Sequence, residues 1–80
     1  MFWWVAFFII LRLVINMKNN IKELRKLKSI RQEDLASLVG VTRQTINAIE
    51  NNKYDPTLEL SMKLARIFDK HVDEIFTLDT

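Results

Sequence analysis

Arg43, Gln44, Asn47 and Asn51 fall within the stretch TRQTINAIEN, and the spacing puts them on one side of a short helix. At roughly 100° per residue, Ile46 and Ile49 point one way, Gln44, Asn47 and Asn51 point the other, and Arg43 stands at the edge. A solvated helix face is ordinarily a mixture of Lys and Glu. This one carries amides, hydroxyls and one guanidinium. An amide holds a donor and an acceptor side by side, so Gln or Asn can pair with an adenine edge, and Arg with a guanine edge. The chemistry on offer is directional hydrogen bonding. Proton transfer and metal chemistry are poorly provided for. No nucleophile, base and orienting group stand together, so no enzymatic activity is expected. His71 is the single histidine and there is no Cys, so neither a metal site nor any cofactor is expected.

Helical elements must hold that face in place. Ile21, Leu24 and Leu27 recur on one side of a first helix, with Lys22, Glu23 and Lys26 opposite, and Ser29–Ile30 ends it. Gln32 to Val39 reads as a second helix with Leu35, Ala36, Leu38 and Val39 as its apolar stripe. Glu33 and Asp34 lie in its first turn, at the positive end of the helix dipole. Gly40, the only glycine, follows where a left-handed C-terminal turn is favoured. Thr42 caps the third helix through its hydroxyl. Glu50 falls on the Ile46/Ile49 side, and a carboxylate near the core requires a partner. NNKYDPT is a turn-forming loop, and Pro56 or Thr57 opens a fourth helix. Its predicted stripe is Leu58, Met62, Ala65 and Phe68, with Leu60 and Ile67 widening the arc toward core or a second subunit. Glu59 and Lys63 form an i,i+4 pair. VDEIF closes the chain as a short helix with Val72, Ile75 and Phe76 inward. No alternating strand pattern is visible. The expectation is an all-α, five-helix domain.

Eighty residues make one small domain. The formal charge of +2 conceals an asymmetry. Residues 18–53 hold eight basic side chains against four acidic ones, whereas residues 54–80 hold three against six. A basic front and an acidic back suit a polyanion such as nucleic acid, or an anionic membrane. The run from Lys22 to Lys28 has a plainer reading as a solvated helix face, as do Asp73, Glu74 and Asp79.

The beginning, MFWWVAFFIILRLVIN, stands apart, with five aromatics and one charge, Arg12. It is too short for a membrane span, which needs roughly 17–25 apolar residues. It lacks the basic start and small-residue cleavage site of a signal peptide. Three readings stay open for residues 1–16. The favoured one is that translation begins at Met17 and the preceding stretch is mis-assigned upstream sequence. The second is a hydrophobic tail in which residues 1–15 touch a membrane or a partner. The third is a helix folded onto its own domain.

Two short helices joined by VGV, the second opening with Thr and polar side chains, form a helix-turn-helix pattern. The segment QEDLASLVGVTRQTINAIENNKYDPTLELSMKLARIF resembles the Cro/CI-type (Xre-type) helix-turn-helix transcriptional regulators in their short single-domain form. The resemblance covers residues from about 18 to 77. It implies a five-helix lambda-repressor-like domain over residues 17–80, with 1–16 as an additional hydrophobic N-terminal segment. It also implies a cytoplasmic protein, usually a homodimer, on a palindromic operator in double-stranded DNA. On this likeness Gln32 would contact a phosphate. Thr42, Arg43, Gln44, Thr45 and Asn47 would approach bases or phosphates, and Asn51 and Lys53 would hold the DNA backbone after the third helix. Arg25 matches the family's partner for Glu50. Arg31 stands where the family favours a capping Ser, Thr or Asn, Asn52 where it favours Gly, and Ala48 where only a methyl contact is available. The competing function is a protein-interaction or membrane-tethered module on the same scaffold, for which residues 1–15 are the only support.

Overall fold

Residues 17–78 are described by the computed structural model, and they form five helices and one two-stranded sheet. In chain order these are β1 (Met17–Asn19), α1 (Ile21–Leu27), α2 (Gln32–Val39), α3 (Arg43–Glu50), α4 (Leu58–Phe68), α5 (Val72–Ile75) and β2 (Phe76–Leu78). Residues 1–16 and 79–80 lie outside the described residues, and with them every reading of the hydrophobic segment, of Arg12 and of Asp79.

The sheet corrects the all-helical expectation. β1 and β2 pair antiparallel, with Met17 opposite Leu78, Lys18 opposite Thr77 and Asn19 opposite Phe76. Three residues per strand are too few for an alternating pattern to show in a sequence. Phe76 is buried as expected, but as the first residue of β2 and not as part of a helix. A two-stranded ribbon is marginal alone. Here Asn20 N–H donates to the Ile75 carbonyl at 3.2 Å, so the ladder runs on into the α1 and α5 termini.

The core consists of Ile21, Leu35, Ala36, Val39, Ile46, Ile49, Leu60, Leu64, Phe68, Ile75 and Phe76. Four predicted stripe positions lie elsewhere, all for the same geometric reason. Leu27 is 82 % exposed because six residues carry it roughly 120° off the Ile21 direction. Leu38 stands outside the arc of Leu35, Ala36 and Val39, and is 61 % exposed. On α4 the buried arc is Leu60, Ser61, Leu64 and Phe68, which leaves Leu58 and Met62 on the open side. Ser61 is satisfied in the core by donating its hydroxyl to the Thr57 carbonyl at 2.9 Å.

The four longer helices end alike. Just past each helix an N–H reaches back five residues: Ile30 to the Arg25 carbonyl, Val41 to Ala36, Lys53 to Ala48 and Lys70 to Ala65, at 2.9–3.0 Å. The residue before each donor is left-handed: Ser29 (φ 56°), Gly40 (φ 75°), Asn52 (φ 59°) and Asp69 (φ 51°). Only Gly40 adopts that region without a Cβ penalty. Nothing lies within 4 Å of where a Gly40 Cβ would stand, so it is the backbone angle, not space, that asks for glycine. Ser29→Gly should therefore stabilise the domain by about 0.5–1 kcal/mol, the left-handed penalty less the extra unfolded-state entropy of glycine. Urea titration measures this, and an unchanged or lower midpoint would show that Ser29 carries no strain.

Candidate nucleic-acid interface

The turn between α2 and α3 is short because Gly40 reverses the chain in place. Thr42 then caps α3, its Oγ1 accepting the Thr45 N–H at 3.2 Å, with the two hydroxyls 3.0 Å apart. Ile46 and Ile49 anchor the inner side of the helix in the core. Arg43, Gln44, Asn47 and Asn51 are all exposed, so the structure brings the sequence-predicted face together on one surface. Lys53 is exposed in the following loop.

Behind the face lies a chain of hydrogen bonds that starts from an ion pair. Arg25 Nε donates to Glu50 Oε2 at 2.8 Å and Nη2 donates to Oε1 at 3.3 Å, a two-pronged pairing. The side chains are only 12 % and 3 % exposed. Arg25 Nη1 also donates to the Ile30 carbonyl at 3.0 Å, fixing the turn that leads into α2. Gln32 Nε2 then links Glu50 Oε1 (3.0 Å) to Asn47 Oδ1 (3.1 Å). Asn51 Nδ2 donates to the same Asn47 oxygen at 3.1 Å and to the Asn47 carbonyl at 2.8 Å. Both hydrogens of Gln32 Nε2 are thus engaged, one by Glu50 and one by Asn47.

Arg43 is held loosely. Its Nε lies 3.5 Å from Gln32 Oε1 and its Nη1 lies 3.9 Å from Glu33 Oε2. Arg31 is held closely, by Asp34 at 3.0 Å and Glu33 at 3.0 Å. It offers no acceptor for an N-terminal cap. Instead the Asp34 carboxylate accepts the Arg31 N–H, at 3.3 Å. The Arg31 guanidinium and backbone N–H hold the Asp34 carboxyl below its usual range.

Two contributors were missed by sequence reasoning. Asn19 receives the Ile21 N–H on Oδ1 at 3.1 Å, while its Nδ2 donates to the Ile49 carbonyl at 2.7 Å and to Asn52 Oδ1 at 3.2 Å. It therefore ties the start of α1 to the end of α3. Consecutive Asn residues before a helix are a capping signal, but the distant carbonyl leaves no trace in sequence. Tyr54 stands beside Thr42, Gln44, Thr45 and Ala48, and a lone aromatic in a polar loop was the available clue.

With this geometry in place, likeness to known proteins is decisive. A helix-turn-helix family model matches residues 21–75. The chain belongs to the helix-turn-helix family of the Xre (Cro/CI) type. It is 52 % identical over 60 residues to an uncharacterised HTH-type transcriptional regulator of Methanocaldococcus jannaschii, covering 75 % of this chain and 91 % of that one. A Bacillus subtilis HTH-type transcriptional regulator is 44 % identical over 63 residues, covering 79 % and 96 %. Among solved structures, the restriction-modification controller protein of Aeromonas hydrophila superposes with a TM-score of 0.61 at 33 % identity, covering 68 % and 78 %. A candidate DNA-binding protein of Bacteroides fragilis gives 0.68 at 26 %, covering 76 % and 98 %.

The depth of the Arg25–Glu50 pair predicts how this Xre-type domain responds to mutation. Glu50→Ala leaves a buried guanidinium unpaired and should cost about 3–5 kcal/mol. Glu59→Ala breaks an exposed i,i+4 contact of 3.2 Å to Lys63 and should cost only a few tenths of a kcal/mol. Urea titration of both, with Arg25→Ala and the double variant, checks the pairing. Losses that simply add in the double variant would rule out coupling.

Proposed function

We propose that this chain binds double-stranded DNA in a sequence-specific way as a small transcriptional regulator, with α3 lying in the major groove. The helix-turn-helix family and its regulator relatives support DNA binding and regulation. The single observation that carries the groove placement is the outward face of α3, where directional polar side chains stand on a helix tied to the core. A single helix fits the major groove, where base edges present distinguishable donors and acceptors. The finer assignment is a repressor, acting as a cytoplasmic homodimer on a palindromic operator. Site occupancy alone is enough for repression, and paired half-sites mirror a two-fold protein.

Roles divide by which atoms remain free. No described residue bonds the Gln44 amide, so Gln44 keeps both donor and acceptor for an adenine edge. Asn47 Oδ1 already receives two hydrogen bonds, so it presents only its N–H2 group, suited to an acceptor on a base. Arg43 gives up only long contacts when it turns to a guanine or a phosphate. Thr42 and Thr45 lie at the helix start, where the backbone N–H groups favour a phosphate. Asn51 and Lys53 fall where the strand leaves the face. Gln32 positions Asn47 from behind. Residues 17–80 form the working domain in this reading, and residues 1–16 an extension to it. The family match from residue 21 supports that division.

Arg43→Ala or Gln44→Ala should weaken the preferred site by about 1–3 kcal/mol and relax preference at particular base pairs. Lys53→Ala should weaken all sequences alike and lower the slope of log K against log salt by about one ion. Selection from a randomised duplex pool, then titration of one selected site across a salt series, measures both effects. A chain beginning at Met17 should match the full chain in that titration. The assignment fails if Lys53→Ala changes the selected sequence while the α3 variants leave it untouched.

A further inference from the structure

Two features at the front of the domain have no part in the face that α3 presents. The first is a run of cations. Lys18 on β1, Lys22 and Lys26 on α1 and Lys28 at its C-cap are all exposed. Lys22 and Lys26 lie one turn apart on the same side of α1, about 6 Å along its axis, so they act within one screening length of each other. Arg25 does not join them, because its guanidinium is committed to Glu50 and to the Ile30 carbonyl. The first acidic residue of the chain is Glu23. The second feature is apolar. Leu27 stands exposed between Lys26 and Lys28, and Leu78 stands exposed opposite Met17, where residues 1–16 join the ribbon. Those residues are apolar except for Arg12 and Asn16, and they hold both tryptophans of the chain.

A bilayer surface suits that combination. Apolar side chains leave water for the acyl boundary, Trp rings settle at the headgroup level, and lysines are drawn to anionic headgroups. Residues 1–16 are too short to span a bilayer, so they can lie only in its interface. One apolar anchor alone holds a protein marginally, and an adjoining basic patch supplies the second attraction. We propose that the full chain docks on an anionic lipid surface, with residues 1–16 in the interface and Lys18, Lys22, Lys26 and Lys28 toward the headgroups. This is the second reading of residues 1–16, now supported by the exposed lysines and leucines of the described domain as well as by composition. A protein partner could cover the apolar segment equally well, but only a surface of negative charge also uses the lysines. The contact is independent of how α3 meets DNA.

Trp3 and Trp4 are the only tryptophans, so tryptophan emission reports on this segment alone. The full chain is titrated with vesicles of phosphatidylcholine, and of phosphatidylcholine mixed with phosphatidylglycerol, at low and high salt. Emission should move to shorter wavelength on both, with tighter binding to the anionic vesicles that salt weakens. Lys22→Gln and Lys26→Gln should each weaken anionic binding about fivefold, the worth of one lysine near a charged surface, and leave neutral binding unchanged. Phe7→Asp should weaken binding to both. Thermal unfolding confirms that each variant is folded. Emission that vesicles leave unmoved overturns the docking; if it lies at short wavelength from the start, the segment is packed on its own domain or on a second copy. Equal affinity for the two kinds of vesicle overturns it too, as do lysine variants that bind like the parent. So does a natural chain shown by mass spectrometry to start at Met17, which would lack both tryptophans. None of these outcomes bears on the DNA titration, so each leaves the groove placement standing.

Discussion

The pairing of Arg25 with Glu50 is the interaction on which the geometry of the face depends. It joins α1 to the last residue of α3, and through the Ile30 carbonyl it fixes the entry to α2. A buried ion pair is weak evidence for net stability, because desolvation opposes the Coulombic gain. What it provides here is placement. Glu50 can occupy the inner side of α3 only with its charge met, and once met it offers an oxygen to Gln32. Gln32 in turn holds the Asn47 oxygen. The orientation of an exposed amide is thereby set by a charge pair in the interior.

Asn19 acts at the same end of α3. The C-terminal carbonyls of a helix lack intrahelical donors, and the Asn19 amide supplies one to Ile49. Because Asn19 is also the last residue of β1, its side chain connects the small sheet to α3. α3 is therefore fixed at its start by the Thr42 cap and at its end by Asn19, Asn52 and the Glu50 pair.

Features governed by local chemistry were legible in the sequence. Gly40 and Thr42 mark the boundary of α3 because positive φ and a capping hydroxyl each call for particular residue types. Ile46 and Ile49 set the phase of α3 because no other apolar residue competes with them except Ala48. On α4 there was competition: Leu58, Leu60, Met62, Leu64, Ile67 and Phe68 supply more apolar positions than one face holds, so the phase followed the wrong subset. The two strands escaped because each is three residues long and pairs with the opposite end of the chain. The outward face of α3 could be read from periodicity, but the commitment of the Asn47 oxygen could not. That depends on where Gln32 of a different helix arrives, and no spacing within α3 encodes it.

We propose that the face organised by this network is the surface that meets DNA. Amide chemical-shift mapping by NMR during titration with a selected duplex tests it directly. The largest changes are expected from Thr42 to Lys53 and around Gln32, with α5 and the outer side of α4 at Leu58 and Met62 unmoved. Changes concentrated on α4 or α5, with α3 silent, would contradict it.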